Sequence, residues 1–437
     1  MTVVDGAASG SLLERYTATI TFDTADAIRE ALFDPNLSRS FDKRSYADGN
    51  IRDGIVSTSH GALQRARRRV ENSQFRPERL RLYERELFPK VLADLLDVLI
   101  VDDRADIFAV GEILSVVLAA RRAGIDHEEG SLEELRRLVR FVDVFSQGSA
   151  ILDALDPDAV RELVKAAYDE FERDFVRPSW RRRARLIGEA RDGSGTEPVP
   201  QDILIALLLH RDDPALELRD DGRVVREVAT YLQGGTHTSA QTLTNALDLL
   251  LEAEARTAGM VDRASADVAF AQRVVHETLR LRPTTPRIKR RAEADTIVAG
   301  VAIPKDALVV LDAATAGRDP ALYGPDPDAF DPDRVVDPEV ARWGLAFGAG
   351  PHQCPGRSVA AGFPIPSDDA PDEDHVYGLI ALMTQAVCQR GVRPDPDGSP
   401  TRDSRTERHT RWASYPVRFL ARPSQRSAPS HIGSGGH

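Results

Sequence analysis

Cysteine is scarce in this sequence of 437 residues: Cys354 and Cys388 are the only two. A chain this long with two thiols is no disulfide scaffold, and it fits a reducing compartment. Basic excess is lacking too. Lys and Arg number 57 against 69 Asp and Glu, a formal charge of −12, so nothing global attracts nucleic acid. Residues 1–22 show no basic stretch leading into an apolar core, so no secretory signal is read there. No apolar run reaches the roughly 18 residues of a membrane span, because Asp94 and Asp97 interrupt the best candidate. Internal repeats are absent. Neither a Gly-x-Gly-x-x-Gly after a strand nor a Walker loop occurs, which leaves no flavin or nucleotide fingerprint. The expectation is a cytoplasmic monomer that engages neither nucleic acid nor membrane.

Helical periodicity is what the sequence has in abundance. Apolar residues recur at three- to four-residue spacing over Pro77–Val101, Leu132–Phe145, Asp158–Phe171, Val225–Arg256 and Val268–Leu281. The run Val225–Arg256 is too long for a typical surface helix and is expected to pass through the middle of a large domain. Short β-type runs at Ala18–Phe22, Thr296–Ile303 and Leu308–Leu311 are bounded by Gly, Pro or Asp. From Arg318 to Gly356 the chain is rich in Pro, Gly and Asp with little periodicity, and so long an irregular stretch in a helical protein is either functional or disordered. A mainly α fold with small β-sheets is predicted. It forms one domain over residues 1–423, with a disordered tail at 424–437.

The most informative segment is Phe347–Gly356, Phe-Gly-Ala-Gly-Pro-His-Gln-Cys-Pro-Gly. Gly348, Gly350 and Gly356 permit positive φ and close backbone approach. Pro351 and Pro355 stiffen the loop, and Phe347 supplies an apolar plate. The loop presents one thiol, Cys354, beside amide donors and a helix start near Pro355, both of which favour a thiolate. Taken alone, this is a cysteine buried in a tight turn. Two motifs upstream change its weight. His276-Glu277-Thr278-Leu279-Arg280 places Glu277 and Arg280 on one helical face. Gly234-Gly235-Thr236-His237-Thr238-Ser239 sets two glycines in mid-helix, where each costs about 1 kcal/mol against alanine. A hydroxyl there bonds the carbonyl one turn back.

In this order the motifs resemble those of the cytochrome P450 family. The loop carries Phe-Gly-x-Gly-x-His-x-Cys-x-Gly, residues 277–280 carry Glu-x-x-Arg, and Phe330-Asp-Pro-Asp-Arg334 stands where the family has Phe-x-Pro-x-Arg. The resemblance runs from Phe22 to Phe419. It implies a P450 fold with haem b (iron protoporphyrin IX) between the long central helix and the Cys loop, and Cys354 as the axial thiolate. Phe347, Gly348 and Gly356 would border the haem, while Glu277, Arg280 and Arg334 would form a buried structural network. Arg290 and His352 would meet the haem propionates, as would Arg68, with Gln64 replacing the family's histidine four positions earlier. Thr238 would help deliver protons during oxygen activation. His237 stands where the family usually has an acid, and it either shuttles protons near neutral pH or packs between helices. After the loop the family continues in one helix, but Gly362–Asp374 is too rich in proline to do so. A helix resumes over His375–Gln389.

The implied activity is monooxygenation, in which one atom of dioxygen enters a C–H or C=C bond of a small molecule. Electrons would come from a separate ferredoxin and its reductase. The run Arg65, Arg67, Arg68, Arg69 offers such a ferredoxin a docking patch, or is a solvated helix face. By resemblance the substrate pocket draws on residues 41–57, on 232–236 including Gly234 and Gly235, and on 284–288. In the last segment Thr284, Thr285 and Arg287 add polarity, Arg287 pairing with a substrate carboxylate, facing solvent or facing a haem propionate. The expected substrate is a polar-functionalised intermediate of secondary metabolism. Two other readings stay open: an enzyme of the same type that uses peroxide, or couples or rearranges without inserting oxygen, and a non-catalytic haem sensor or scaffold.

Overall fold

A computed structural model describes residues 3–4, 16–39, 51–151, 154–365, 372–405 and 411–420. Residues 41–50 of the expected pocket wall and the tail at 424–437 lie outside them. Strands β1 (Val3–Val4) and β2 (Thr19–Phe22) precede helix α1 (Ala25–Phe33) and strand β3 (Leu37–Ser38). Helices α2 (Gly61–Asn72), α3 (Pro77–Leu82) and α4 (Phe88–Leu99) follow, the last two joined by a π-helical turn at Tyr83–Leu87. Strand β4 (Arg104–Asp106) leads into α5 (Ile107–Ala123), α6 (Leu132–Ser149), α7 (Pro157–Phe171), α8 (Arg177–Asp192), α9 (Ile203–Leu209) and α10 (Asp221–Arg256). Asp106, Ser131, Asp156, Asp202 and Asp220 cap α5, α6, α7, α9 and α10 by accepting backbone amides of the first turn.

Helices α11 (Met260–Ala266) and α12 (Val268–Leu281) lead to β5 (Arg287–Ala292), β6 (Thr296–Val298), β7 (Val301–Ile303) and β8 (Leu308–Asp312). The predicted run Thr296–Ile303 is thus two strands, folded back at Ala299 and Gly300, both at positive φ. Short helices α13 (Ala313–Ala316) and α14 (Pro320–Tyr323) open the irregular stretch, and α15 (Arg357–Ala361) and α16 (Leu379–Cys388) close it. Strands β9 (Val392–Pro394), β10 (Thr401–Arg402), β11 (Trp412–Ser414) and β12 (Pro416–Phe419) end the described chain. The largest sheet has the order β1-β2-β8-β5-β3, with β2 and β8 parallel and its other pairs antiparallel.

The mainly α architecture is built around α10. Its 36 residues span about 54 Å, and it packs against α5, α6, α12 and α16. One apolar cluster joins α10 to α12 and α16, a second joins it to α5 and α6, and a third fills the space between α1 and the large sheet. Contact between α5 and α10 is close enough to require small residues. A Cβ at Gly235 would lie 3.1 Å from Ala119 Cβ, and one at Gly111 would lie 3.0 Å from Ala240 Cα. Gly235 therefore answers to helix packing, a demand that the sequence expectation of a pocket residue did not include. No helix among the described residues is long and apolar enough to cross a membrane.

The helix after the loop is broken, as the prolines required, at Gly362 (φ 74°) and again at Gly378 (φ 89°). It resumes at Leu379, four residues later than expected, because Gly378 sits in a non-helical conformation. Side chains from elsewhere hold the detour. Gln272 donates to the Ala361 and Phe363 carbonyls at 2.8 Å, and Glu84 accepts the amides of Tyr377, at 3.0 Å, and Gly378.

Candidate functional site

The Cys loop turns at Gly348 (φ 63°) and Gly350 (φ 69°). A Cβ at Gly350 would fall 2.7 Å from the Leu32 carbonyl oxygen at the end of α1, so only glycine fits there. Gly356 departs from expectation: its φ is −79°, at the start of α15, and its amide donates to the Cys354 sulfur. The Cys354 amide donates to the Phe347 carbonyl at 3.0 Å and closes the loop. Phe347 stands edge-on to Trp343, 6.0 Å between ring centres. Cys354 is accessible to solvent yet set deep among protein atoms. Burial raises its thiol pKa, and the Gly356 amide with Arg68, Arg39 and Arg357 pulls it back.

Positive charge gathers beside this thiol. Arg290 on β5 is buried and gives Nη1 to the Lys289 carbonyl at 2.9 Å. Burial, then Arg39, lowers its pKa to about 9. Arg68 on α2 has Nε and Nη1 buried with no acceptor among the described residues. The His352 ring stacks on His60 with 6.3 Å between centres, and its Nδ1 has no partner. Burial, followed by Arg39, Arg290, Arg68 and His60, drives the His352 pKa down to about 3. A buried cationic patch of this kind is costly until an anion joins it. Gln64 lies beside it: the buried amide donates to the carbonyl of Pro351, the residue before His352, at 2.7 Å and ties the Cys loop to α2.

Below the loop, Glu277, Arg280 and Arg334 form a closed cluster. Arg280 donates Nε and Nη2 to the Glu277 carboxylate, at 2.8 and 2.5 Å, and Nη1 to the carbonyls of Gly317 and Pro327, both at 2.6 Å. Arg334 gives Nε to Glu277 at 3.1 Å and its other nitrogens to the carbonyls of Tyr323, Asp326 and Ala329. These carbonyls belong to the irregular stretch. With no helix or sheet to absorb its polar backbone, the stretch is held by two guanidinium groups. Gly317 is required here as well, since a Cβ would meet the Arg280 carbonyl oxygen at 2.5 Å.

On α10, Gly234 is exposed and Thr238 half-buried in the middle of a helix that is otherwise largely buried. Thr238 donates Oγ1–H to the Gly234 carbonyl at 2.7 Å, the back-bond expected of a mid-helix hydroxyl. His237 turns the other way, towards α5. Its Nδ1 lies 3.3 Å from Glu112 Oε1 and 3.5 Å from Arg411 Nη2, its ring is edge-on to Phe108, and Nε2 is buried without a partner. Burial lowers its pKa, so the ring is neutral at neutral pH, and the Nδ1–H then donates to Glu112.

Other expectations meet the structure differently. Arg287 is exposed and pairs with Asp312 at 3.3 Å on the neighbouring strand, so no charge is aimed at a substrate. Thr284 and Thr285 are half-buried in the turn between α12 and β5. Arg67 is buried and hydrogen-bonds the Leu216 and Gly54 carbonyls, which removes it from any docking patch. Sequence reasoning missed Arg67, Glu71 and Glu227 as a buried polar cluster. The signal was present in α2, whose buried positions are Gln64, Arg67 and Glu71 at helical spacing.

The sequence profile of the cytochrome P450 family matches residues 12–361. Methyltetrahydroprotoberberine 14-monooxygenase of Papaver somniferum is 30% identical over 261 residues, which cover 54% of this chain and 48% of that protein. The chain thus spans about half the length of this curated relative. Cyclooctat-9-en-7-ol 5-monooxygenase of Streptomyces melanosporofaciens is 27% identical over 374 residues, 77% of this chain and 75% of that one. The crystal structure of CalO2 superposes with a TM-score of 0.69 at 21% identity, over 92% of this chain and 90% of that chain, a likeness of fold.

Proposed function

The chain belongs to the cytochrome P450 family, and from that premise we propose that it is a haem-thiolate monooxygenase. Its substrate is a small organic molecule of the secondary-metabolite type, and its electrons come from a separate ferredoxin and reductase. The carrying observation is an accessible thiol, Cys354, next to a buried cationic patch whose Arg68 and His352 nitrogens lack partners. The family implies a haem cofactor, and these residues fit haem b: one thiol for the axial position, and Arg68, Arg290 and His352 for the two propionates. When bound, thiolate-ligated haem supplies the activation of dioxygen by cleavage of its O–O bond.

The protein's own part is placement and proton supply. The Gly356 amide and the closed turn at Phe347 hold the sulfur in place and temper its basicity. The Glu277 cluster fixes the irregular stretch that carries the loop. Thr238, whose own proton is committed to Gly234, keeps lone pairs free to accept a proton donor at the face left open by Gly234. His237, neutral and joined to Glu112, faces α5 and not the open face, so of its two readings it takes the one of packing between helices. Both curated relatives named above are monooxygenases by name, which supports oxygen insertion over coupling.

The test is the carbon-monoxide difference spectrum of the reduced holoprotein. The strongly red-shifted Soret band of a thiolate-ligated haem should appear in the wild type and vanish in Cys354→Ala. Thr238→Ala should keep that band while product formed per electron falls, with peroxide in its place, by roughly tenfold or more. A red-shifted band that survives in Cys354→Ala sinks the reading.

A further inference from the structure

The face of α2 turned into the protein is polar where an amphipathic helix would be apolar. There Glu71 approaches Glu227 of α10, and both carboxylates are fully buried. Glu227 Oε2 accepts the Val56 amide at 2.9 Å and lies 3.9 Å from Arg67 Nη1. Glu71 Oε2 meets the Tyr231 hydroxyl at 2.6 Å. The second oxygen of each carboxylate has no hydrogen-bond partner. Arg67 spends Nε and Nη1 on the carbonyls of Leu216 and Gly54, at 2.7 and 2.5 Å. Arg68, the next residue, gives neither Nε nor Nη1 to either carboxylate. Two buried carboxylates around one close cation cannot both ionise cheaply.

We propose that Glu71 is held as a neutral acid by its neighbour Glu227, so that the charge of Arg68 is left for a haem propionate and haem retention weakens when Glu71 ionises. This rests on the haem reading given above. The charge balance supports it. With Glu71 neutral and Glu227 ionised, as it is above about pH 7, Arg67 and Arg68 outweigh Glu227 by one positive charge, which one propionate carboxylate matches. With Glu71 ionised, Arg68 is already compensated and the propionate arrives beside a buried anion. Burial first, and Glu227 next, push Glu71 well above the usual carboxylate range. Burial also raises Glu227 to about 7, with Arg67 pulling it back. The other groups facing the pair are Arg223 and Tyr231 on α10 and Glu217 in the loop before it. Tyr231 is pushed up by burial and stays neutral.

Linkage sets the sign. A propionate raises the pKa of an acid beside it, so haem binding takes up a proton, and affinity falls as pH rises through the ionisation of Glu71 in the haem-free protein. One pKa unit of such coupling corresponds to about tenfold in affinity. Holoprotein would be mixed with excess apomyoglobin as haem acceptor, and the rate of haem loss followed from mildly acidic to mildly alkaline pH. The wild type should lose haem about tenfold faster at the alkaline end. Glu71→Gln should keep the neutral-pH rate and flatten the profile on the alkaline side of the Glu227 ionisation near pH 7. Glu227→Gln, which relieves the repulsion, should move the acceleration to lower pH. A poorly folded variant would lose haem at every pH, so infrared spectroscopy gives a second readout: a carboxylic-acid carbonyl band at neutral pH that is missing in Glu71→Gln. A profile that stays steep in Glu71→Gln, or a wild type without the acid band, overturns the proposal. A wild type lacking the red-shifted carbon-monoxide band would instead overturn the haem-thiolate reading on which it rests.

Discussion

Two buried charge clusters adjoin the Cys354 loop. In the Glu277 cluster every guanidinium nitrogen of Arg280 and Arg334 has an acceptor, and both carboxylate oxygens of Glu277 are used. In the patch of Arg68, Arg290 and His352, guanidinium groups crowd a neutral imidazole, and among the described residues Arg68 Nε and Nη1 and His352 Nδ1 have no partner. Both clusters bury arginine, yet among the described residues only the first is complete. A closed set of charges holds the backbone that carries it, whereas an open set is completed by an anion from outside. Burial alone does not separate the two cases; counting satisfied nitrogens does.

The contrast can be broken most directly by removing one arginine from each cluster. Arg280→Ala leaves Glu277 buried without its principal partner and should cost about 3–5 kcal/mol of unfolding free energy in urea. Arg68→Ala strands no carboxylate hydrogen bond and should cost the haem-free protein less than about 1 kcal/mol, while speeding haem loss from the holoprotein. Equal losses of stability would erase the distinction. A middle-sized effect tests the closed side by pH. His276, next to Glu277, shares the Ala361 carbonyl at 2.8 Å, and burial drives its pKa down to about 4. That value lies below the roughly 6.5 of an unfolded histidine. The stability gained by keeping the ring neutral is therefore present above pH ~6.5 and is lost as pH falls towards 4, up to about 3 kcal/mol. His276→Gln should flatten this acid limb in denaturant titrations at successive pH values. The smallest effect is expected at Arg287, exposed and paired only with Asp312. Arg287→Ala should change stability by less than about 0.5 kcal/mol and leave the rate of haem loss unaltered.

How much of this was legible in the sequence depended on how far apart the interacting residues lie. Helix α12 was predicted with its observed ends, because Asp267 caps it and Arg282-Pro283 stops it. The association of Glu277 and Arg280 with Arg334 was implied by the family resemblance of their two motifs, and the hydrogen bonds show it. The partner of Gly235 is Ala119, on a different helix, and no local pattern announces that contact. Gln64 and Arg287 were named for donors their side chains do possess, but the faces they occupy are set by the packing of α2 and the register of β5 on β8. The pairing of Glu71 with Glu227 joins helices far apart in sequence, and only the misplaced polarity of α2 hinted at it.

The break after the Cys loop has a modular consequence. The chain leaves at Gly362 and returns at Gly378 to nearly the same point: a Cβ on Gly378 would lie 2.4 Å from the Gly362 nitrogen, and the Phe363 amide bonds the Val376 carbonyl at 2.8 Å. When the two ends of a segment are pinned together, its length matters little, since each doubling of a flexible loop costs only about 0.6 kcal/mol. The pinned ends at Gly362 and Gly378, and not the length of chain between them, therefore fix how α15 meets α16. A tether to an electron-donor domain or a reporter peptide could be spliced in between those ends while α15 and α16 keep their places.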